Sequence, residues 1–351
     1  MPMRSDDEIL QDRAARVLGA VAAVTLGLVS PTATAQGELE WVALGDSYTA
    51  GIFAGPEQGE ADGCERTRDA YPQVVSRRLE AEPPAHPVSL VADVSCGGAT
   101  IANIAEEPQT PIGRNQPPDG WPQVKPQVEA AGLDTDVVSV GVGGNSVPFG
   151  TVLLNCVTLG SGRPGTATPC RDAYENDPPA TDPETIDEKY TRLAREYHDM
   201  LGAVSRQAPG AELVTVGYPS IVPADVSSCS RTDRTHFSAG LFGSITHGDL
   251  DWLRGVTEEL NAIIERSTAA YGARYVDVYT SSKGHDVCQP RGEKWVEGVC
   301  GPPESDHPID LDALCAGLPE GQRRLTLVHP NSEGHANTAA LVEEAIRTIA
   351  S

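Results

Sequence analysis

The sequence predicts an α/β fold: a three-layer α/β/α sandwich around a central, mostly parallel five-stranded sheet, with surface loops stapled by disulfides. Three observations point there. Short runs rich in β-branched residues alternate with longer amphipathic segments, the pattern of βαβ units whose helices cover both faces of a parallel sheet. One run, at 137–142, is almost wholly apolar, as a strand buried on both faces should be. Eight cysteines, at 64, 96, 156, 170, 229, 288, 300 and 315, sit in loop-like stretches rich in Gly and Pro. Cross-links there order chain that is otherwise entropically costly to hold.

The first 35 residues read as a secretory signal peptide. Arg13 and Arg16 precede an apolar or small run at 17–29, and Ser30-Pro31 and Ala33-Thr34-Ala35 follow it. A positive flank, a short apolar run and a small-residue exit are the parts of a cleaved leader, here cut before Gln36. Asp6, Asp7, Glu8 and Asp12 make the extreme N-terminus unusually acidic for one. The run is shorter than the roughly 20 residues a membrane span needs, and no later stretch is a candidate, so no stable membrane anchor is expected. An even cysteine count in an exported chain argues for four disulfides, though eight cysteines leave the pairing open. With no C-x2-C pair, a cysteine metal site is a poor reading.

From residue 36 onward a single domain is expected. Its strands fall at 40–44, 88–94, 137–142, 213–216 and 274–278, and its helices at 71–80, 124–131, 184–206, 249–271 and 333–349. The helix at 249–271 is the clearest, with Leu250, Leu253, Val256, Leu260, Ile263 and Ile264 recurring at three- and four-residue steps. Stretches at 55–67, 155–183 and 281–322 break the alternation. Each is Gly/Pro/acid-rich and carries cysteine, so they read as disulfide-tied surface excursions. A net formal charge of −24 repels phosphate backbones, which disfavours nucleic acid as a partner.

Three Gly/polar clusters each fall where a predicted strand ends: Gly45-Asp46-Ser47-Tyr48, Cys96-Gly97-Gly98-Ala99 and Gly143-Gly144-Asn145. In open α/β sheets ligands bind in the crevice outside the carboxyl ends of the strands, so the three clusters should converge. Taken alone, Asp46-Ser47 could merely cap a helix, and the Gly-Gly pairs could merely be turns. The formal dinucleotide fingerprint at 160–165 follows no strand and opens no helix, and it is set aside.

With these pieces in view, the chain resembles the SGNH (GDSL) hydrolases, and within them the secreted actinobacterial lipase/esterase branch. The matching segments are Gly-Asp-Ser-Tyr-Thr-Ala-Gly at 45–51, Ser-Cys-Gly-Gly-Ala-Thr at 95–100, Val-Gly-Gly-Asn at 142–145 and Val-His-Pro-Asn-x-x-Gly-His at 328–335. They arrive in the family's order and span nearly all of the expected domain. The segment at 284–288 also looks like this branch. The resemblance implies a secreted serine esterase or lipase acting on carboxylic esters, fatty acyl or lipid esters in particular, without metal or cofactor and as a monomer. Ser47 would be the nucleophile and His329 the base that activates it, because a serine hydroxyl needs an adjacent base. The backbone N–H groups of Ser47 and Gly98 and the side chain of Asn145 would form the oxyanion hole. Of the adjacent glycines, the family's spacing from its cysteine implies Gly98 rather than Gly97. The resemblance also implies the pairs Cys64–Cys96, Cys156–Cys170 and Cys229–Cys288, leaving Cys300 with Cys315.

Two departures from the family bear on the site. Most members carry Asp three residues before the histidine, whereas position 326 is Thr. Some members of this branch use a main-chain carbonyl there, so the Thr326 carbonyl is expected to orient His329. The competing acid-x-x-His arrangement, Glu304 to His307, lies in a Pro-rich loop. Ser146 stands where the family commonly has Asp, which questions what supports Asn145. His86, His198 and His236 read as surface or helix positions, and His285, His307 and His335 as structural. Two other functions are compatible with the fold: a carbohydrate O-deacetylase, and a catalytically inactive binding protein.

Overall fold

A computed structural model describes residues 37–232, 244–301 and 324–351. The expected leader, His236, the Glu304–His307 pair and Cys315 lie outside the described residues.

Five strands form one parallel sheet: β1 (Leu39–Gly45), β2 (Val88–Asp93), β3 (Val137–Gly141), β4 (Glu212–Val216) and β5 (Arg274–Val276). Their order is β2-β1-β3-β4-β5, with every neighbouring pair parallel. The period of two along β1 shows how the sheet divides its sides. Trp41 and Ala43 pack in one apolar cluster with Val137, Val214 and Val216, and Val42 and Leu44 in the other with Val138 and Val140. The expected apolar strand is buried along its whole length.

Helices α1 (Ser47–Ala50), α2 (Tyr71–Ala81) and α3 (Ile101–Ala105) follow the first two strands. Next come α4 (Phe149–Leu159), α5 (Pro169–Asn176), α6 (Ile186–Gln207), α7 (His247–Ala270), α8 (Val278–Ser281) and α9 (Ser332–Ile349). The apolar sides of α2 and α9 cover the first face of the sheet; those of α3, α4, α6 and α7 cover the second. Thr185 and Glu188 close a capping box at the start of α6, satisfying backbone donors that a helix start leaves unpaired. Disulfides join Cys64 to Cys96, Cys156 to Cys170 and Cys229 to Cys288. A short antiparallel pair, β6 (Cys300–Gly301) with β7 (Arg324–Leu325), precedes the last helix.

Three expectations are corrected. The helix at 124–131 is only a 3-10 turn at Gln127–Ala130, and Val124 instead bridges to Gln109. Pro126 removes a backbone donor and pushes Lys125 out of the helical region. The stretch at 155–183 is not all loop. Helix α4 begins before it at Phe149, and α5 follows, pinned to α4 by Cys156–Cys170. Finally, the last sheet strand stops at Val276, because the Asp277 side chain accepts the N–H of Thr280 and starts α8.

Candidate active site

The strand order changes direction between β1 and β3, whose crossovers run to opposite sides. Such a switch point opens a crevice at the carboxyl ends of the strands. Gly45 ends β1 with no room for a side chain: an added Cβ would sit 2.1 Å from the Thr49 hydroxyl and 2.7 Å from the Gly141 carbonyl. Buried Gln127 holds both the N–H and the carbonyl of Gly45, at 2.7 and 2.9 Å. The amide of Cys96 reaches the same carbonyl at 3.0 Å, tying the glycine loop after β2 to the end of β1.

Ser47 opens α1, and its hydroxyl lies 2.8 Å from Nε2 of His329. The two residues are 282 positions apart in sequence. Because α1 is a single turn, the helix-dipole field expected at Ser47 is small. His329 sits in a turn in which Leu327 and Val328 both have positive φ, +45° and +64°, a conformation costly for a non-glycine and worst for a β-branched residue. That turn aims two carbonyls at Nδ1, Thr326 at 2.9 Å and Leu327 at 3.0 Å. The Thr326 hydroxyl donates to the Gly298 carbonyl at 2.8 Å. Pro330 follows, and Asn331 caps α9 by accepting the Gly334 N–H. Burial holds the imidazole's pKa down to about 4, against a smaller opposing effect of the two carbonyls.

The loop after β3 meets the loop after β2. Asn145 donates its side-chain N–H to the Ala99 carbonyl at 3.0 Å, and the Ser146 hydroxyl accepts the amide of Ile101 at 3.0 Å. Serine thus supplies a link between the loops where an aspartate is usual. Gly98 has φ +78°, and its N–H has no acceptor among the described residues, whereas that of Gly97 donates to the Cys64 carbonyl at 3.0 Å.

Ser47, Asn145 and His329 all line one cavity of about 280 Å³, walled by Phe149, Leu153, Leu154, Ile221, Leu260 and Leu327. Gly98 does not border that cavity. A more charged cleft of about 750 Å³, between α3 and α6, also touches Asn145. The other described histidines are engaged elsewhere. His285 stacks on Trp295 with ring centres 3.5 Å apart. His198 leans on Tyr271, and His335 accepts the Tyr71 amide in the core.

The sequence reading passed over Tyr218 and the carboxylate of Asp46. The Tyr218 hydroxyl donates to Asp46 at 2.5 Å and accepts the Gly144 N–H at 2.8 Å. Gly217-Tyr218 lies just beyond β4, so the rule that located the other three clusters also locates this one. Burial raises the Asp46 pKa to about 7, although Tyr218 and the Tyr48 amide both donate to it.

The molecule is thus a three-layer α/β/α fold with a serine–imidazole contact at the switch point of its parallel sheet, beside an apolar cavity. The model of the GDSL-like Lipase/Acylhydrolase family matches residues 43–336. The chain belongs to that family and is an ester hydrolase of the esterase/lipase type. It is 32% identical over 286 residues to Lipase 2 of Streptomyces coelicolor, covering 80% of this chain and 85% of that one. It is 27% identical to an esterase of Streptomyces scabiei, covering 96% and 94%. Two crystal structures share its fold: phospholipase A1 from Streptomyces albidoflavus, with TM-score 0.54 and 22% identity, and the extracellular lipase from Streptomyces rimosus, with 0.55 and 19%. Each covers 88% of this chain, and the chain covers 99% of each. No helix among the described residues is long and apolar enough to cross a membrane.

Proposed function

We propose that the protein is an exported esterase of acyl lipids that works through a Ser47–His329 dyad and an acyl-enzyme. Ser47 Oγ attacks the ester carbonyl as His329 Nε2 takes its proton, and the carbonyl π electrons move onto oxygen. The N–H groups of Ser47 and Gly98 and the side chain of Asn145 bind that oxyanion; losing one such donor typically costs about 10²–10³-fold in rate. Collapse expels the alkoxide, which leaves as the alcohol with the proton from His329. A water deprotonated by His329 then attacks the acyl-enzyme, releasing the acid and restoring Ser47.

The observation that carries this reading is the 2.8 Å contact between Ser47 Oγ and His329 Nε2 at the wall of an apolar cavity. The cavity suits an acyl chain better than a sugar, which would leave its hydroxyls facing Leu and Phe side chains. The even number of cysteines, the leader-like N-terminus and the disulfides support export. A fluorophosphonate probe should label the protein, and Ser47→Ala should abolish both labelling and ester hydrolysis. Labelling that persists in Ser47→Ala would refute the assignment of the nucleophile.

A further inference from the structure

Two tyrosines hang from Asp46, and each reaches a different part of the site. Tyr48 donates its amide to Asp46 Oδ1 at 2.9 Å and its hydroxyl to the Val328 carbonyl at 2.5 Å. Tyr218 donates to Asp46 Oδ2 and accepts the Gly144 amide. The two rings pack edge to face, with centroids 5.0 Å apart. Val328 immediately precedes His329 in the positive-φ turn, and Gly144 immediately precedes Asn145. One buried carboxylate, next in sequence to Ser47, is therefore wired by one tyrosine to the turn bearing the base and by the other to the turn bearing the oxyanion donor.

We propose that Tyr218 and Tyr48 are positioning residues, Tyr218 registering Asn145 and Tyr48 registering His329 against Ser47, both through Asp46. The proposal rests on the roles given above for Ser47, His329 and Asn145. The geometry favours positioning over mere packing. A buried tyrosine needs one partner for its hydroxyl, yet Tyr218 uses its oxygen both to donate and to accept, and both bonds run to neighbours of reacting residues. Burial beside Asp46 pushes the Tyr218 pKa well up, so the hydroxyl keeps its proton and can do both. The Leu327–Val328 turn is strained by its positive φ values, and a strained turn persists only where surrounding contacts over-determine it. The Tyr48 hydroxyl is one such contact. Small errors here matter, because a displacement of about 1 Å at reacting groups can cost about 10²-fold in rate.

The test is a set of single and double substitutions assayed on one p-nitrophenyl ester. Tyr218→Phe keeps the ring and removes only the hydroxyl; it should lower kcat by roughly ten- to a hundredfold with KM within about twofold. Acting through Asn145, it should add almost nothing in an Asn145→Ala background, because residues that work as one unit are not additive. Tyr48→Phe acts on the other turn and should multiply with Asn145→Ala. A Tyr218→Phe loss that is equally large in the Asn145→Ala background overturns the assignment, as does full activity in Tyr218→Phe alone. Should Tyr218→Phe fail to fold, hydrogen exchange in the unsubstituted protein decides: a slowly exchanging Gly144 amide supports the brace, and a fast one overturns it. Fluorophosphonate labelling of Ser47→Ala would show instead that the underlying nucleophile assignment had failed.

Discussion

The main-chain carbonyl of Thr326 lies 2.9 Å from Nδ1 of His329, with that of Leu327 beside it at 3.0 Å. The Thr326 carbonyl can fix the tautomer and the ring plane as an aspartate does, because both accept the Nδ1 proton. It carries no net charge, however, so it stabilises the imidazolium less than a carboxylate does. Among the described residues no carboxylate contacts the ring. Phe53 packs edge-on against it with centroids 5.6 Å apart, and Tyr48 covers it at 4.8 Å.

This arrangement sets the acid limb of the activity profile. As the proposed base, His329 can act only when neutral, and burial lowers its pKa to about 4. The plateau of kcat/KM should therefore extend below the ordinary histidine value of about 6.5 and decline only near pH 4. A pH–rate profile on an uncharged ester checks this. An inflection at about 6.5 to 7 that persists in Asp46→Asn would mean that the imidazole is solvated, or paired with an acid, in the working enzyme. One that disappears in that variant belongs to Asp46, whose pKa burial raises to about 7.

The two glycines after Cys96 should respond differently to the same substitution. Gly98 has φ +78°, and an added Cβ would stand 2.9 Å from the Ile112 side chain. Gly98→Ala should therefore move the free N–H and cost at least tenfold in kcat, since left-handed backbone costs an L-residue about 1–2 kcal/mol. An added Cβ at Gly97 meets nothing closer than 3.6 Å, and Gly97→Ala should be nearly silent. Paired kinetics on the two variants test the distinction, and equal losses would contradict it.

Cys64–Cys96 links the two loops beside the site and is reinforced by the bond from the Gly97 amide to the Cys64 carbonyl. The sheet itself contains no cysteine. In a reductant titration activity should fall before far-ultraviolet circular dichroism changes, and the Cys64→Ser/Cys96→Ser variant should lose about 2–4 kcal/mol of stability. Simultaneous loss of activity and secondary structure would place this bond among the supports of the core instead.

The apolar cavity beside Ser47, at about 280 Å³, is just smaller than the roughly 300 Å³ at which drug-sized sites begin. A short-to-medium acyl chain fits such a volume. Leu154 borders it and is 44% exposed, so the site tolerates a larger residue there without overpacking the core. Leu154→Trp should lower kcat/KM for octanoyl esters by tenfold or more while leaving acetyl esters within about twofold, one methylene being worth about 1–3 kcal/mol in an apolar pocket. A uniform fall across a p-nitrophenyl series would move the acyl site elsewhere.

The sheet and the main helices were legible because their apolar spacing is regular. Along β1, Val42 and Leu44 turn to one face and Trp41 and Ala43 to the other; in α7 the residues Leu250, Leu253, Val256 and Leu260 keep helical steps. Helix α4 escaped because its cysteine and the Gly/Pro-rich chain after it read as an excursion, although Thr151, Asn155 and Thr158 keep helical steps opposite buried Val152, Leu153, Cys156 and Val157. At 124–131 the apolar spacing was right, but Pro126 decided the backbone. In the site, residues that act through side chains stood out by type and position. The Asp46–Tyr218 link did not, because Tyr218, though just beyond β4, lies in none of the four segments that carry the resemblance, and a lone Tyr after a strand looks like ordinary core.

Ser47, the proposed nucleophile, is set at the start of the fold and His329, its proposed base, just before the last helix, where α9 packs against α2 and the sheet. A growing polypeptide therefore carries Ser47 long before it carries His329, 282 positions further on. On the reading proposed above, a nascent or C-terminally truncated copy that lacks residue 329 should hydrolyse no ester.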